Sequence, residues 1–221
     1  MMATVLRAVA LAAALAAGGT ALAHTESHKP GSAANPPAVA PIAGKEGAAA
    51  SRDARSYFTD LELQTQDGRK VRFYSDVLQG RTVLINVIYT HCEDACPLIT
   101  QHLNQVRAQL PDLFGKEVFF ITLSSDPLRD TPQAMKRFAQ KQGADVPGWI
   151  YLTGAKGNVE QILKKLGQFS ESVEAHSTLL IAGNVGGKRW SKIRPDAPPA
   201  AIAERLKLLA APPAVPADKP Q

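Results

Sequence analysis

The chain has only two cysteines, Cys92 and Cys96, which stand four apart in the stretch VLINVIYTHCEDACPLITQ from Val83 to Gln101. Residues four apart share a face of a helix, and in an irregular first turn two such side chains can still converge on one point. Two neighbouring thiolates suit two kinds of chemistry: holding a soft metal such as Cu(I), or cycling between dithiol and disulfide. A structural bridge is the weaker reading, because so short a loop restricts the unfolded chain relatively little. A single pair also makes no disulfide framework.

The elements around the pair decide where the sulfurs sit. Val83, Leu84, Ile85, Val87, Ile88 and Tyr89 are mostly β-branched or aromatic, with only Asn86 polar among them, the pattern of a strand buried on both faces of a sheet. The cysteines follow directly, where that strand ends and a helix begins, expected over Pro97 to Leu110 with Pro111 as its stop. This is the carboxyl edge of the strand, where the sites of open α/β sheets lie, and the helix N-terminus favours thiolate over thiol.

A second apolar run, Val118 to Leu123, predicts an adjacent strand and brings SSDPLRDTP to the same edge. Asp126 suits a turn before Pro127, or control of the site and partner docking, while Asp130 suits capping the next helix. Thr131 is the residue expected to cap that helix, with Pro132 at its first position. His176, in VEAHSTLL ahead of another strand, could approach the thiols. A neutral imidazole beside two thiolates makes a three-coordinate soft site for Cu(I) and helps retain Cu(II). Taken alone, a loop histidine is more often an ordinary surface residue. His91 adjoins Cys92 and could tune its thiolate or stand in as a ligand. His102 falls off the helical face of Cys96 and reads as surface. Glu93 and Asp94, between the thiols, are expected to be exposed, since hard carboxylate oxygens suit Cu(I) poorly and oppose thiolate formation.

The rest of the chain supplies context. Residues 1–23 read as a secretory signal peptide: Arg7, an apolar run from Ala8 to Ala17, and the small-residue site Ala21-Leu22-Ala23. Removing Arg7 lowers the formal net charge of +5 by one, and the dispersed basic residues give no nucleic-acid surface. Export to a bacterial periplasm implies an oxidising surrounding, so a dithiol that must bind metal needs a reducing partner there. Residues 24–55 are rich in Ala, Pro and Gly and read as a flexible linker carrying His24 and His28. Residues 56–210 make one domain and residues 211–221 a Pro-rich tail. In the domain, Leu61–Gln64 and Val71–Phe73 form an N-terminal β-hairpin about Asp67-Gly68. Further strands are expected at Trp149–Leu152, Thr178–Ile181 and Lys188–Ile193, and helices at Val159–Leu166 and along Ile202, Leu206 and Leu209. The result is an α/β class with a central sheet flanked by helices and a terminal hairpin.

IYTHCEDACPL, then LSSDPLRDTPQAMKRFA, then VEAHSTLLIAG resemble the Sco/SenC proteins in motif order and spacing, over roughly Tyr57 to Leu209. The resemblance implies a thioredoxin-like fold in which Cys92, Cys96 and His176 match the family's copper ligands and Asp126 matches the acidic residue of its S-x-D-P segment. It implies a periplasmic metallochaperone for Cu(I) or Cu(II) serving the binuclear copper centre of cytochrome c oxidase. Its partners would be the oxidase's copper-bearing subunit, a periplasmic thiol reductant and another copper chaperone. The alternative is a thiol-disulfide oxidoreductase in which Cys92 attacks and Cys96 resolves. Two departures stand out: Glu93 replaces the proline that many relatives carry after the first cysteine, and the leader reads as cleavable where many relatives keep an anchor. A peroxidase is disfavoured because the pattern P-x-x-x-T-x-x-C is absent.

Overall fold

The apolar runs become the middle of a seven-stranded sheet. The computed structural model describes residues 54–212; the expected signal, His24, His28, nearly all of the expected linker and the tail from 213 lie outside the described residues. Strands β1 (Glu62–Thr65), β2 (Lys70–Arg72), β3 (Thr82–Ile88), β4 (Val118–Ser124), β5 (Trp149–Thr153), β6 (Leu180–Asn184) and β7 (Arg189–Ile193) lie in the order β2-β1-β5-β4-β3-β6-β7. β3 pairs in parallel with β4, and β4 with β5, while β6 runs antiparallel to β3 and carries β7 as a hairpin. Helices α1 (Ala95–Ala108), α2 (Pro132–Lys141), α3 (Lys156–Leu166) and α4 (Pro199–Ala210) fill the crossovers and the C-terminal end. The unit β3-α1-β4 followed by the β6-β7 hairpin and α4 is the thioredoxin-like arrangement, with an added β5 and an N-terminal hairpin.

Every residue of β3 and β4 is buried, and the period of two divides their side chains between two cores. Val83, Ile85 and Val87 face a layer built from Phe73, Val77, Ile162 and Leu163. Leu84 and Ile88 face Leu103, Val106, Phe138, Ile202 and Leu206. The buried polar residues of the central strands are linked in a line: the Thr122 hydroxyl donates to Asn86 Oδ1 at 2.7 Å and accepts from Trp149 Nε1 at 2.9 Å. Interior polar atoms are stable when they find each other in this way.

Some boundaries differ from expectation. α1 begins at Ala95, two residues before Pro97, which places Pro97 in the first turn, where its missing N–H has no helical partner to lose. β6 runs through Ala182, Gly183 and Asn184, residues expected in the hairpin connection. Asn184 is held there by its amide, which donates to Thr82 Oγ1 at 2.9 Å. Gly183 is required by its neighbour: a Cβ at this position would lie 2.0 Å from the Trp190 ring. Between β2 and β3 the chain makes a six-residue π-type turn, Phe73–Leu78. His102, expected at the surface, is instead half-buried, and its Nε2 lies 2.8 Å from the Ala197 carbonyl, tying α1 to the entrance of α4.

Candidate metal centre

β3 ends at Ile88 and α1 starts at Ala95; Cys92 lies among the six residues between them and Cys96 in the first turn of the helix. The Cys92 N–H donates to the Tyr89 carbonyl at 3.2 Å, closing a turn. The Cys96 N–H, in the first turn of α1, points at Cys92 Sγ at 3.5 Å. Both thiols are free, Cys92 half-buried and Cys96 buried.

The two thiols differ in acidity. For Cys92, burial pushes the thiol up, but hydrogen bonds from the Cys96 N–H and thiol, the Tyr89 hydroxyl and the Asp94 N–H outweigh it and bring the pKa below the ordinary value. For Cys96, burial first, and then the neighbouring Cys92 sulfur, raise the pKa from 9.0 to about 12; the charge of Asp130 adds to the rise. Tyr89 is raised from 10.0 to about 12, chiefly because its hydroxyl is bonded to Cys92. Cys92 is therefore the more acidic of the two thiols and Cys96 the one that keeps its proton to higher pH. Glu93 and Asp94 are exposed.

Asp130 is the floor of the turn. It is fully buried and accepts from the Thr90 N–H at 3.1 Å, the Thr90 hydroxyl at 2.6 Å and the Ser124 hydroxyl at 2.6 Å. These bonds join Thr90, two residues past β3, to the end of β4. The expectation that Asp130 caps α2 is thus corrected: Thr131 Oγ1 accepts from the Ala134 N–H at 3.2 Å, and Asp130 is directed at the cysteine-bearing loop. Asp126, 5 % exposed, ion-pairs with Arg129 Nε at 2.9 Å. His91 sits over this pair, its Nε2 3.2 Å from Arg129 Nη1 and 3.8 Å from Asp126 Oδ2. A guanidinium only donates, so Nε2 accepts. Asp126 and His91 are therefore joined to each other through Arg129, with no contact of either to a sulfur among their hydrogen bonds and ion pairs.

His176 comes to the same end of the sheet. Its ring is 8 % exposed, with Nδ1 2.7 Å from the Val173 carbonyl and Nε2 3.1 Å from the Val87 carbonyl of β3. Tyr89 links it to the thiols, meeting the His176 ring edge-to-face at 5.7 Å between centroids and offering its hydroxyl to Cys92. The same aromatic ring meets His91, with centroids 4.7 Å apart. Among the described residues no three of His, Cys, Asp and Glu are already arranged around one point to hold a metal ion. The two sulfurs adjoin each other on one turn, while the His176 ring nitrogens lie against the Val173 and Val87 carbonyls.

Tyr89, Thr90, Ser124 and Arg129 were not singled out from the sequence as site residues. A signal for Thr90 and Ser124 exists: each is a hydroxyl residue at the carboxyl end of one of the two central apolar runs, and Ile88 and Ser124 face each other in register. Tyr89 reads as the last apolar residue of the strand, so its polar end is hidden in the pattern.

A profile of the family described as SCO1/SenC matches residues 49–211. The SCO1 protein homolog of Bacillus subtilis is 33 % identical over 104 residues, 47 % of this chain and 52 % of that protein; the match thus spans about half the length of this curated relative. The structure of Bradyrhizobium japonicum ScoI with copper bound superposes with a TM-score of 0.56 at 26 % identity, covering 67 % of this chain and 96 % of the other. The structure of BsSco, described as a member of the Sco family of cytochrome c oxidase assembly proteins with a disulfide switch, gives a TM-score of 0.59 at 26 % identity, covering 69 % and 92 %.

Proposed function

The chain belongs to the SCO1/SenC family, and from that premise we propose that it is an exported, periplasmic copper carrier that uses Cys92, Cys96 and His176 and serves the binuclear copper centre of a cytochrome c oxidase. The observation that carries the reading is two free thiols of opposed acidity on one turn, with an imidazole at the same sheet end one aromatic ring away. Soft sulfur donors suit Cu(I), and the added nitrogen suits Cu(II). Cys92, the more exposed sulfur, is where an acceptor thiol enters, and Cys96, buried in the first turn of α1, is released last. Copper thus passes from one set of donors to the next without entering solution. Asp130 holds the loop, and Asp126, Arg129 and His91 make a charged rim for the partner.

The test is anaerobic titration of the reduced chain with Cu(I) against a chromogenic chelator, together with Cu(II) absorption spectra. One equivalent of Cu(I) retained by wild type, and loss of the Cu(II) sulfur-to-metal band in His176→Ala, are expected. Failure to retain Cu(I) against a modest competitor refutes the carrier.

A second reading, thiol-disulfide oxidoreductase, is favoured by the same split in acidity, since an attacking thiolate and a protonated resolving thiol are what exchange requires. It predicts a trapped mixed disulfide in Cys96→Ser and full reductase activity in His176→Ala.

A further inference from the structure

Beside Cys92 lies a cleft of about 210 Å³ between the start of α1 and one face of α2, lined by Cys92, Pro97, Arg137, Phe138, Lys141 and Gln142 among others. It falls below the usual range of small-molecule pockets, about 300–1,000 Å³, and suits one side chain rather than a whole small-molecule ligand. Arg137 and Lys141 stand four apart on α2 and are exposed. Two like charges at this spacing repel, yet among the described residues neither makes an ion pair with an acid. Their neighbour Lys136, on another face of the helix, pairs with both Asp67 and Asp145. The cleft walls are fixed, because Asn104 of α1 donates to the Gln142 carbonyl at 2.8 Å. On the loop beside Cys92, Glu93 and Asp94 are exposed acids, so charge around the reactive sulfur is divided, negative on the loop and positive along α2.

We propose that this cleft is a subsite for an acidic side chain adjacent to the cysteine of the acceptor protein, held by Arg137 and Lys141 while its aliphatic part lies against Pro97 and Phe138. The proposal deepens the reading of Cys92 as the sulfur that exchanges with a partner thiol, and rests on it. The chain of the acceptor is thereby given a direction: its acidic residue lies toward α2 and away from Glu93 and Asp94, which repel it. Approach is faster for thiols that carry a carboxylate than for neutral ones.

The test uses the reduced full-length protein and two aromatic disulfides, dianionic 5,5′-dithiobis(2-nitrobenzoate) and neutral 2,2′-dithiodipyridine. In each case the Cys92 thiolate attacks the S–S bond, forms a mixed disulfide and expels one arylthiolate. Cys96 then gives up its proton and displaces the second arylthiolate, so two electrons pass from the dithiol to the probe. At low ionic strength, Arg137→Gln/Lys141→Gln is expected to slow the dianionic probe about fivefold, as for two unit charges within about 8 Å of a carboxylate in water. The neutral probe is expected to keep its wild-type rate within about twofold, the distinction fading at high salt. A charge-matched control at the opposite end of the sheet, Lys116→Gln/Lys188→Gln, is expected to leave both rates unchanged. Equal slowing of both probes, unchanged reaction with the dianion, or an equal effect in the control overturns the subsite. None of these outcomes depends on copper retention, so the subsite and the carrier function fail separately.

Discussion

Replacing Asp130 by alanine removes the acceptor for three hydrogen bonds at once, from the Thr90 N–H, the Thr90 hydroxyl and the Ser124 hydroxyl. Hydrogen bonds to a charged acceptor contribute about 1.5–3 kcal/mol each, but the carboxylate is itself costly to bury, which offsets part of that sum. Deleting one member of such a buried network leaves its donors unsatisfied, and the expected net loss is about 3–5 kcal/mol. Asp130→Asn keeps the shape and one acceptor oxygen and is expected to lose about 1–2 kcal/mol. The assay is urea unfolding of the reduced protein at neutral pH, read as a shift in midpoint at constant slope. A second readout is the Cys96 thiol: removing a nearby negative charge lowers its raised pKa, though only in part, because burial and Cys92 are the larger causes. A loss below about 1 kcal/mol in Asp130→Ala would refute the claim that this carboxylate fastens the thiol-bearing turn to the sheet.

Further consequences are open to direct measurement. Iodoacetamide at neutral pH is expected to alkylate Cys92, with its lowered pKa, well before the buried Cys96, and peptide mass mapping gives the order. The reduced protein is expected to lose stability as pH rises from 9 toward 12: the unfolded Cys96 ionises near 9.0 while the folded thiol holds its proton to about 12. Tyr89, raised from 10.0 to about 12, adds to this loss in the upper part of the range. Cys92 acts in the opposite sense, its contribution growing as pH rises from its lowered folded value to the ordinary thiol value. Cys96→Ser should flatten the decline, as followed by urea midpoints across pH. Gly183→Ala places a Cβ 2.0 Å from the Trp190 ring, and displacement of that ring is expected to cost about 3 kcal/mol and to shift tryptophan fluorescence.

The two central strands were legible because burial on both faces leaves an unbroken apolar run, and α2 because Thr131 and Pro132 announce a start that the structure keeps. The start of α1 was less so: Pro97 draws attention as a first residue, but the first turn tolerates it at the third position, and Cys96 thereby enters the helix. Asp130 was misjudged because the aspartate before Thr-Pro has the local pattern of a cap. Only the parallel register of Thr82–Ile88 on Val118–Ser124 brings Thr90 and Ser124 to either side of it. The contact of His176 Nδ1 with the Val173 carbonyl is local, three residues back, but the approach of Nε2 to the Val87 carbonyl of β3 is non-local, and no spacing in the sequence encodes it.

The clasp on His176 also bears on which ions the resting protein accepts. An ion satisfied by two sulfurs meets its donors at once. One that requires nitrogen must first break a ring–carbonyl hydrogen bond, and each 1.4 kcal/mol so spent lowers the apparent affinity about tenfold. In the proposed site a borderline ion such as zinc would therefore start at a disadvantage, and the imidazole would work as a latch that screens metals before serving as a donor.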